Sequence, residues 1–139
     1  MRFLGLDIGS KRIGLALSDE LGITAQGIPT LNRTTPGNDI RKLLEIVRQH
    51  KVEKIVIGLP KNMNGTLGKS AEQVLAFIQE MKVKTAIPVD LWDERLSTIA
   101  VTRTLVSANV SRRRRKEVVD KLAAVYILQG FLDSQKRFN

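Results

Sequence analysis

The chain has no cysteine among its 139 residues. That excludes disulfides, a thiolate nucleophile and Cys-based zinc sites, and suits a reducing cytoplasm. There is one histidine, His50. It falls at the C-terminal end of the first expected helix, where it interacts with the helix dipole, and Ser18 and the other serines are left without a base for a hydrolase triad. Aromatic residues make up only 4% against 42% hydrophobic, so the core has to be aliphatic and tightly packed. No apolar run approaches the roughly 20 residues of a membrane span. The opening Met1-Arg2-Phe3-Leu4 enters a strand at once with no signal-peptide pattern. The expectation is a cytoplasmic protein with no membrane partner. Acid is scarce as well: 14 Asp and Glu face 23 Lys and Arg, a net charge of +9. That excess favours a polyanion, nucleic acid first.

What is present reads as one domain over residues 1–139, without repeats, linkers or a shift in composition. Phe3 to Ile8 alternates at the period of a strand, with Leu4, Leu6 and Ile8 on one face and Phe3, Gly5 and Asp7 on the other. Gly9 to Arg12 makes a hairpin connection to a second strand, Ile13 to Ser18, and Ile23 to Thr30 reads as a third. Pro36-Gly37 breaks the chain before a helix capped by Asn38 or Asp39, with Ile40, Leu43, Leu44 and Val47 on one face. Lys54 to Leu59 is a continuous apolar run, the pattern of a strand buried on both sides. Ser70 opens a helix with the stripe Val74, Phe77, Ile78 and Met81, and Pro88 to Trp92 is a fifth strand. Leu96 to Val106 and Arg115 to Ser134 complete the series as helices. The order βββαβαβαα gives a mixed α/β sheet flanked by helices, its later strands arriving by helical crossovers.

Three acidic positions stand out. Asp7 lies inside an alternating strand, where a carboxylate is costly unless its charge is compensated. A bound cation or phosphate-linked metal supplies that compensation; a turn-capping Asp is the alternative. Asp93 and Glu94 follow the fifth strand, at the end of the sheet where open α/β folds bind ligands. Capping of the next helix, or pairing with Arg95, is their other reading. Asp120 stands on the apolar stripe of the last helix, with Ala123, Ala124, Ile127, Leu128 and Phe131. A salt bridge to Arg12 or Arg95 competes there with metal ligation. Oxygen donors without His or Cys select Mg²⁺ or Mn²⁺, ions that activate water and stabilise the leaving oxygen in phosphodiester cleavage.

With these residues in hand, the chain resembles the YqgF family. The likeness rests on Leu4-Gly5-Leu6-Asp7-Ile8-Gly9 with Gly14 to Asp19, on Gly58-Leu59-Pro60 with Asn62 to Thr66, on Trp92 to Thr98, and on Asp120 to Val125 with Ile127-Leu128-Gln129. The resemblance implies a ribonuclease H-like fold related to the RuvC resolvases and, with the strand reading, a five-stranded sheet ordered 3-2-1-4-5. It also implies a bacterial cytoplasmic nuclease maturing the 5′ end of pre-16S ribosomal RNA, with Holliday-junction resolution as the other proposal for the family. Asp7, Glu94 and Asp120 take the family's acidic positions as catalytic residues and metal ligands. One departure stands out: resolvases of the RuvC type carry a carboxylate on the fourth strand, where this chain has Ile55-Val56-Ile57-Gly58-Leu59. Glu94 is expected to restore the site from the next strand.

Nucleic-acid contacts are expected from Lys11 and Arg12 in the hairpin, and from Lys61, Asn62 and Asn64 in the loop after the fourth strand. That loop reads equally well as a structured turn. The basic run Arg112, Arg113, Arg114 and Arg115, taken as a solvated loop leading into the Asp120 helix, is expected to grip the phosphate backbone. Pre-ribosomal RNA is the preferred partner, on a ribosomal particle, and branched DNA the second. Trp92 reads as core. Two rivals remain. Asp7-Ile8-Gly9-Ser10-Lys11 also resembles the first phosphate loop of actin-like ATPases, but those need a second lobe and a second Asp-x-Gly loop, for which this chain has no candidate. A non-catalytic ribosome-assembly factor would bind nucleic acid without needing Asp7 or a metal.

Overall fold

The computed structural model describes residues 1–62, 64–94 and 112–136, the last segment with side chains from Leu122 to Gln135. Strands β1 (Phe3–Ile8), β2 (Arg12–Ser18) and β3 (Ala25–Asn32) form an antiparallel meander. Helix α1 (Pro36–Gln49) leads to β4 (Lys54–Leu59), which lies parallel to β1, and α2 (Lys69–Lys84) leads to β5 (Val89–Asp93), parallel to β4. Helix α3 (Arg112–Lys136) follows. The sheet has five strands in the order 3-2-1-4-5, as expected.

The period-2 alternation of β1 sorts its side chains to two cores. Leu4 and Leu6, fully buried, join Ile13, Leu15, Ile40, Leu43, Phe77 and Met81 between the sheet and α1 with α2. On the opposite face, Ala16 and Val56 meet Ala124, Ile127, Leu128 and Phe131 of α3, with Phe3 and Trp92 packed alongside. β4 is covered on both faces, which is why its sequence is apolar throughout. Trp92 is core, edge-on to Phe131 at 6.4 Å.

Several boundaries differ from the sequence expectation, each for a local reason. β3 begins two residues later because the Ile23 and Thr24 amides are spent on the Asp19 carboxylate, at 2.7 and 3.1 Å. Those amide donors hold the Asp19 carboxyl below its ordinary range. Pro36-Gly37 is not a break but the first turn of α1. Thr35 is the N-cap, its hydroxyl accepting from the Asn38 amide, and Pro36 fits the early position where no amide donor is needed. Asp39 is therefore no cap. β5 is shifted by one, so Asp93 is its last residue and pairs with Leu59. Lys69 rather than Ser70 opens α2, after Gly68. Arg112 to Arg115, expected as a loop, form the first turn of α3. The expected helix over 96–106 lies outside the described residues.

Candidate functional site

Alternation along β1 places Asp7 on the face of the sheet that α3 covers, two residues beyond Gly5. Across the antiparallel pair it stands opposite Gly14 of β2. On its other side, one step past the Leu6–Ile57 pair, the β4 position beside it is Gly58. Asp7 is thus flanked by a glycine on each neighbouring strand, which leaves beside its carboxylate a shallow trough bare of β2 and β4 side chains and roofed over Gly58 by Ile127 of α3.

Glu94 enters the same trough. It follows β5 directly, and Trp92, which packs under α3, fixes which face this part of the chain presents. The Glu94 Cγ lies 3.6 Å from where a Cβ on Gly58 would stand. Asp93 alternates to the opposite face, the one on which Val89 joins the α1–α2 core. Of the two acids that the sequence left open, the register puts Glu94, not Asp93, on the face of the sheet that carries Asp7. The two glycines were visible in the motifs, but their role was not: a bare position signals a site only once the strand register is known.

Helix α3 runs antiparallel to β1 in a fixed step. Phe131 meets Phe3 at 5.8 Å between ring centroids. Leu128 Cβ and the Ala124 carbonyl oxygen stand 2.7 and 3.2 Å from where a Cβ on Gly5 would be. One helical turn, about 5.4 Å, nearly matches two residues of strand, about 6.7 Å. The next turn back along α3 is at Asp120 and Lys121, and the next residue of β1 on this face is Asp7. The backbone register therefore carries the Asp120 position towards Asp7; its side chain lies outside the described part of the helix. Among the described residues no group of three His, Cys, Asp or Glu side chains forms a metal cage. Asp7 and Glu94 supply oxygen donors only, the donor chemistry that suits a hard divalent cation.

The remaining expected residues surround this edge. Arg12, the first residue of β2, precedes Gly14 by two and so shares the Asp7 face. Lys11 is exposed, and its carbonyl accepts from the Arg33 amide at 2.8 Å. The loop after β4 is a structured turn. Asn62 donates to the Thr66 hydroxyl at 3.0 Å, and Asn64 Oδ1 accepts from the Thr66 amide and hydroxyl at 3.1 and 2.6 Å. Gly65 closes it with φ of +87°. Arg112 to Arg115 start α3 about one and a half to two turns before Asp120, at a helix end with no acid in its first turn.

Arg33 braces the turn that follows Asp7. Its Nη1 donates to the Gly9 carbonyl at 2.8 Å, its Nε to Asp39 Oδ2 at 2.8 Å, and its guanidinium lies 5.3 Å from the Phe77 ring centroid. Asp39 is 1% exposed. Burial pushes its carboxyl up, but donation from the Thr34 amide, Arg33 and the Thr34 hydroxyl outweighs this and holds it below the ordinary carboxylate range.

A five-stranded mixed sheet in this order, flanked by helices, is the ribonuclease H-like arrangement. The RuvX family, described as Holliday junction resolvase, matches residues 1–134, and the chain belongs to that family. This bears out the resemblance in the motifs. A relative from Desulforamulus reducens is 54% identical over 134 residues, covering 96% of this chain and 98% of its own. One from Clostridium kluyveri is 56% identical over 133 residues, covering 96% and 97%. Both carry the name "Putative pre-16S rRNA nuclease". Among solved structures, Thermus thermophilus RuvC in complex with a Holliday junction substrate aligns with a TM-score of 0.60 at 16% identity, over 98% of this chain and 96% of that one. Fowlpox virus resolvase with junction DNA aligns with a TM-score of 0.53 at 14% identity, over 97% and 99%. These two likenesses concern the fold.

Proposed function

We propose that this chain is a divalent-metal-dependent nuclease that hydrolyses phosphodiester bonds, with the 5′ end of pre-16S ribosomal RNA as its preferred substrate in the cytoplasm, on a ribosomal particle. The observation that carries the reading is the pair Asp7 and Glu94 across Gly58, in a family whose close relatives bear the name of that nuclease. Asp7, Glu94 and Asp120 are the residues that would hold Mg²⁺ or Mn²⁺. Such an ion, when bound, supplies an activated water and charge stabilisation at the phosphate.

The chain's own groups have separable tasks. Asp7, fixed in the central strand, sets the position of the site; Glu94 takes over from β5 the place that a fourth-strand acid occupies in RuvC-type resolvases. Lys11, Arg12, Lys61 and the Arg112 to Arg115 turn provide phosphate contacts. Four arginines at a helix N-terminus are unfavourable with the helix dipole, and a nucleic-acid phosphate there offsets both the dipole and the arginines' mutual repulsion. Asn62 and Asn64 shape the loop that presents Lys61. The family's description favours a second reading, resolution of four-way DNA junctions.

The test offers wild type and Asp7→Asn, with Mn²⁺ or Mg²⁺, a precursor ribosomal RNA, a single-stranded RNA and a four-way DNA junction. Wild-type cleavage of RNA, lost in Asp7→Asn and in EDTA, is the expected result. Asp7-dependent cleavage of the junction alone transfers the assignment to resolvase. Binding without cleavage of any substrate, ribosomal particles included, overturns the enzyme in favour of a non-catalytic binder.

A further inference from the structure

On the face of the sheet away from α3, two hollows adjoin. The first, about 520 Å³, opens at the turn after Asp7 and is lined by Gly9, Ser10, Arg33, Pro36, Phe77 and Glu80 among others. The second, about 480 Å³, is lined by Gly37, Arg41, Leu44, Glu45, Arg48 and Lys84. Pro36 and Gly37 are chain neighbours, and Glu80 and Lys84 are one helical turn apart on α2. The two hollows therefore lie next to each other, the first beside the turn after Asp7.

That second hollow is cationic. Arg41, Arg48 and Lys84 face one acid, Glu45, and the only ion pair among them is the exposed Arg48–Glu45 contact at 3.9 Å. Among the described residues no carboxylate pairs with Arg41 or Lys84. Arg41 is held in place: its Nε and Nη2 both donate to Asn38 Oδ1, at 3.2 and 2.7 Å, leaving its other donors unspent. The Lys84 ammonium lies against the start of α1, its Nζ 3.4 Å from where a Cβ on Gly37 would stand. The stripe from Gly37 to Arg48 is about 16 Å long at 1.5 Å per residue. A stacked nucleic-acid strand advances about 3.4 Å per phosphate, so the groove suits several successive phosphates rather than one isolated anion.

We infer that the Arg41–Arg48–Lys84 groove is a second nucleic-acid site, which seats the phosphates of a single strand running from the Asp7–Glu94 edge across the β1–β2 turn. The inference rests on the nuclease reading for the direction of the strand, and gives that enzyme a binding track remote from its chemistry.

The test measures fluorescence anisotropy of oligouridylate RNAs of two lengths, one spanning only the acidic edge and one about three times longer, in the Asp7→Asn background so that nothing is cleaved. Adding Arg41→Gln, Arg48→Gln and Lys84→Gln should weaken the long RNA by tenfold or more. The slope of its log affinity against log salt should flatten by about 2, at roughly 0.7 per lost phosphate contact. Short-RNA binding should be unchanged. Lys84→Glu alone, with an unchanged melting temperature, should reproduce part of the long-RNA loss. Unchanged long-RNA affinity and slope overturn the groove, as does an equal loss for both lengths. Loss of binding to polyglutamate with RNA unaffected overturns it in favour of an acidic protein partner. Failure of the otherwise wild-type protein to cleave any substrate sinks the nuclease reading separately, since the groove is judged by binding alone.

Discussion

Gly58 and Gly5 show how a single missing side chain decides what the α3 face of the sheet accommodates. A Cβ on Gly58 would stand 2.5 Å from Ile127 Cδ1 and 3.2 Å from its Cγ1, with Glu94 just beyond. Ile127 is fully buried but its end is flexible, so Gly58→Ala is expected to cost about 1–3 kcal/mol as Ile127 shifts. A Cβ on Gly5 would meet Leu128 Cβ at 2.7 Å and the Ala124 carbonyl at 3.2 Å. Neither atom can swing away without moving the helix, so Gly5→Ala should be the more destabilising of the two. Urea unfolding ranks their stabilities. Cleavage per folded molecule should fall for Glu94→Gln, and full activity in that variant would remove Glu94 from the site.

At the scale of elements, Arg33 and Asp39 join the β1–β2 turn to α1. The Asp39 carboxyl is held below its ordinary range in the folded chain. Its contribution is therefore fully present above the unfolded value of about 3.9 and is lost as pH falls through the lower folded value. Asp39→Asn should lower the urea midpoint at pH 7, and its gap to wild type should narrow as pH drops well below 4. A gap independent of pH would mean that the carboxylate's charge does not contribute.

Which elements could be read in advance follows from the same physics. β4 and the α2 stripe carry their signal in every residue, because burial dictates a continuous run in one and a helical period in the other. The start of α1 was hidden because Pro36-Gly37 has the chemistry of a turn, and only the Thr35 cap shows that it belongs to a helix. Arg112 to Arg115 carry no apolar period at all, so nothing in them announces a helix. Asp7 stands out from the cost of a carboxylate in a strand, whereas telling which of Asp93 and Glu94 shares its face needs the strand end to within one residue, which local pattern does not give.

For the whole molecule, a net charge of +9 coexists with two carboxylates, Asp7 and Glu94, on one face of the sheet. Like charges brought together there repel, and a divalent cation relieves the repulsion. Mn²⁺ or Mg²⁺ should raise the melting temperature of wild type more than that of Asp7→Asn; equal shifts would argue against a metal at Asp7.

The two carboxylates also differ in how firmly the sheet holds them. Asp7 rides on β1, in the middle of the sheet with a partner strand on each side, while Glu94 hangs from the end of β5, five residues long and paired, among the described residues, with β4 alone. Edge strands open at lower free energy than central ones. The β5 amides are therefore expected to exchange faster than those of β1 in native-state hydrogen exchange, so that Glu94 would be the less firmly held of the two carboxylates.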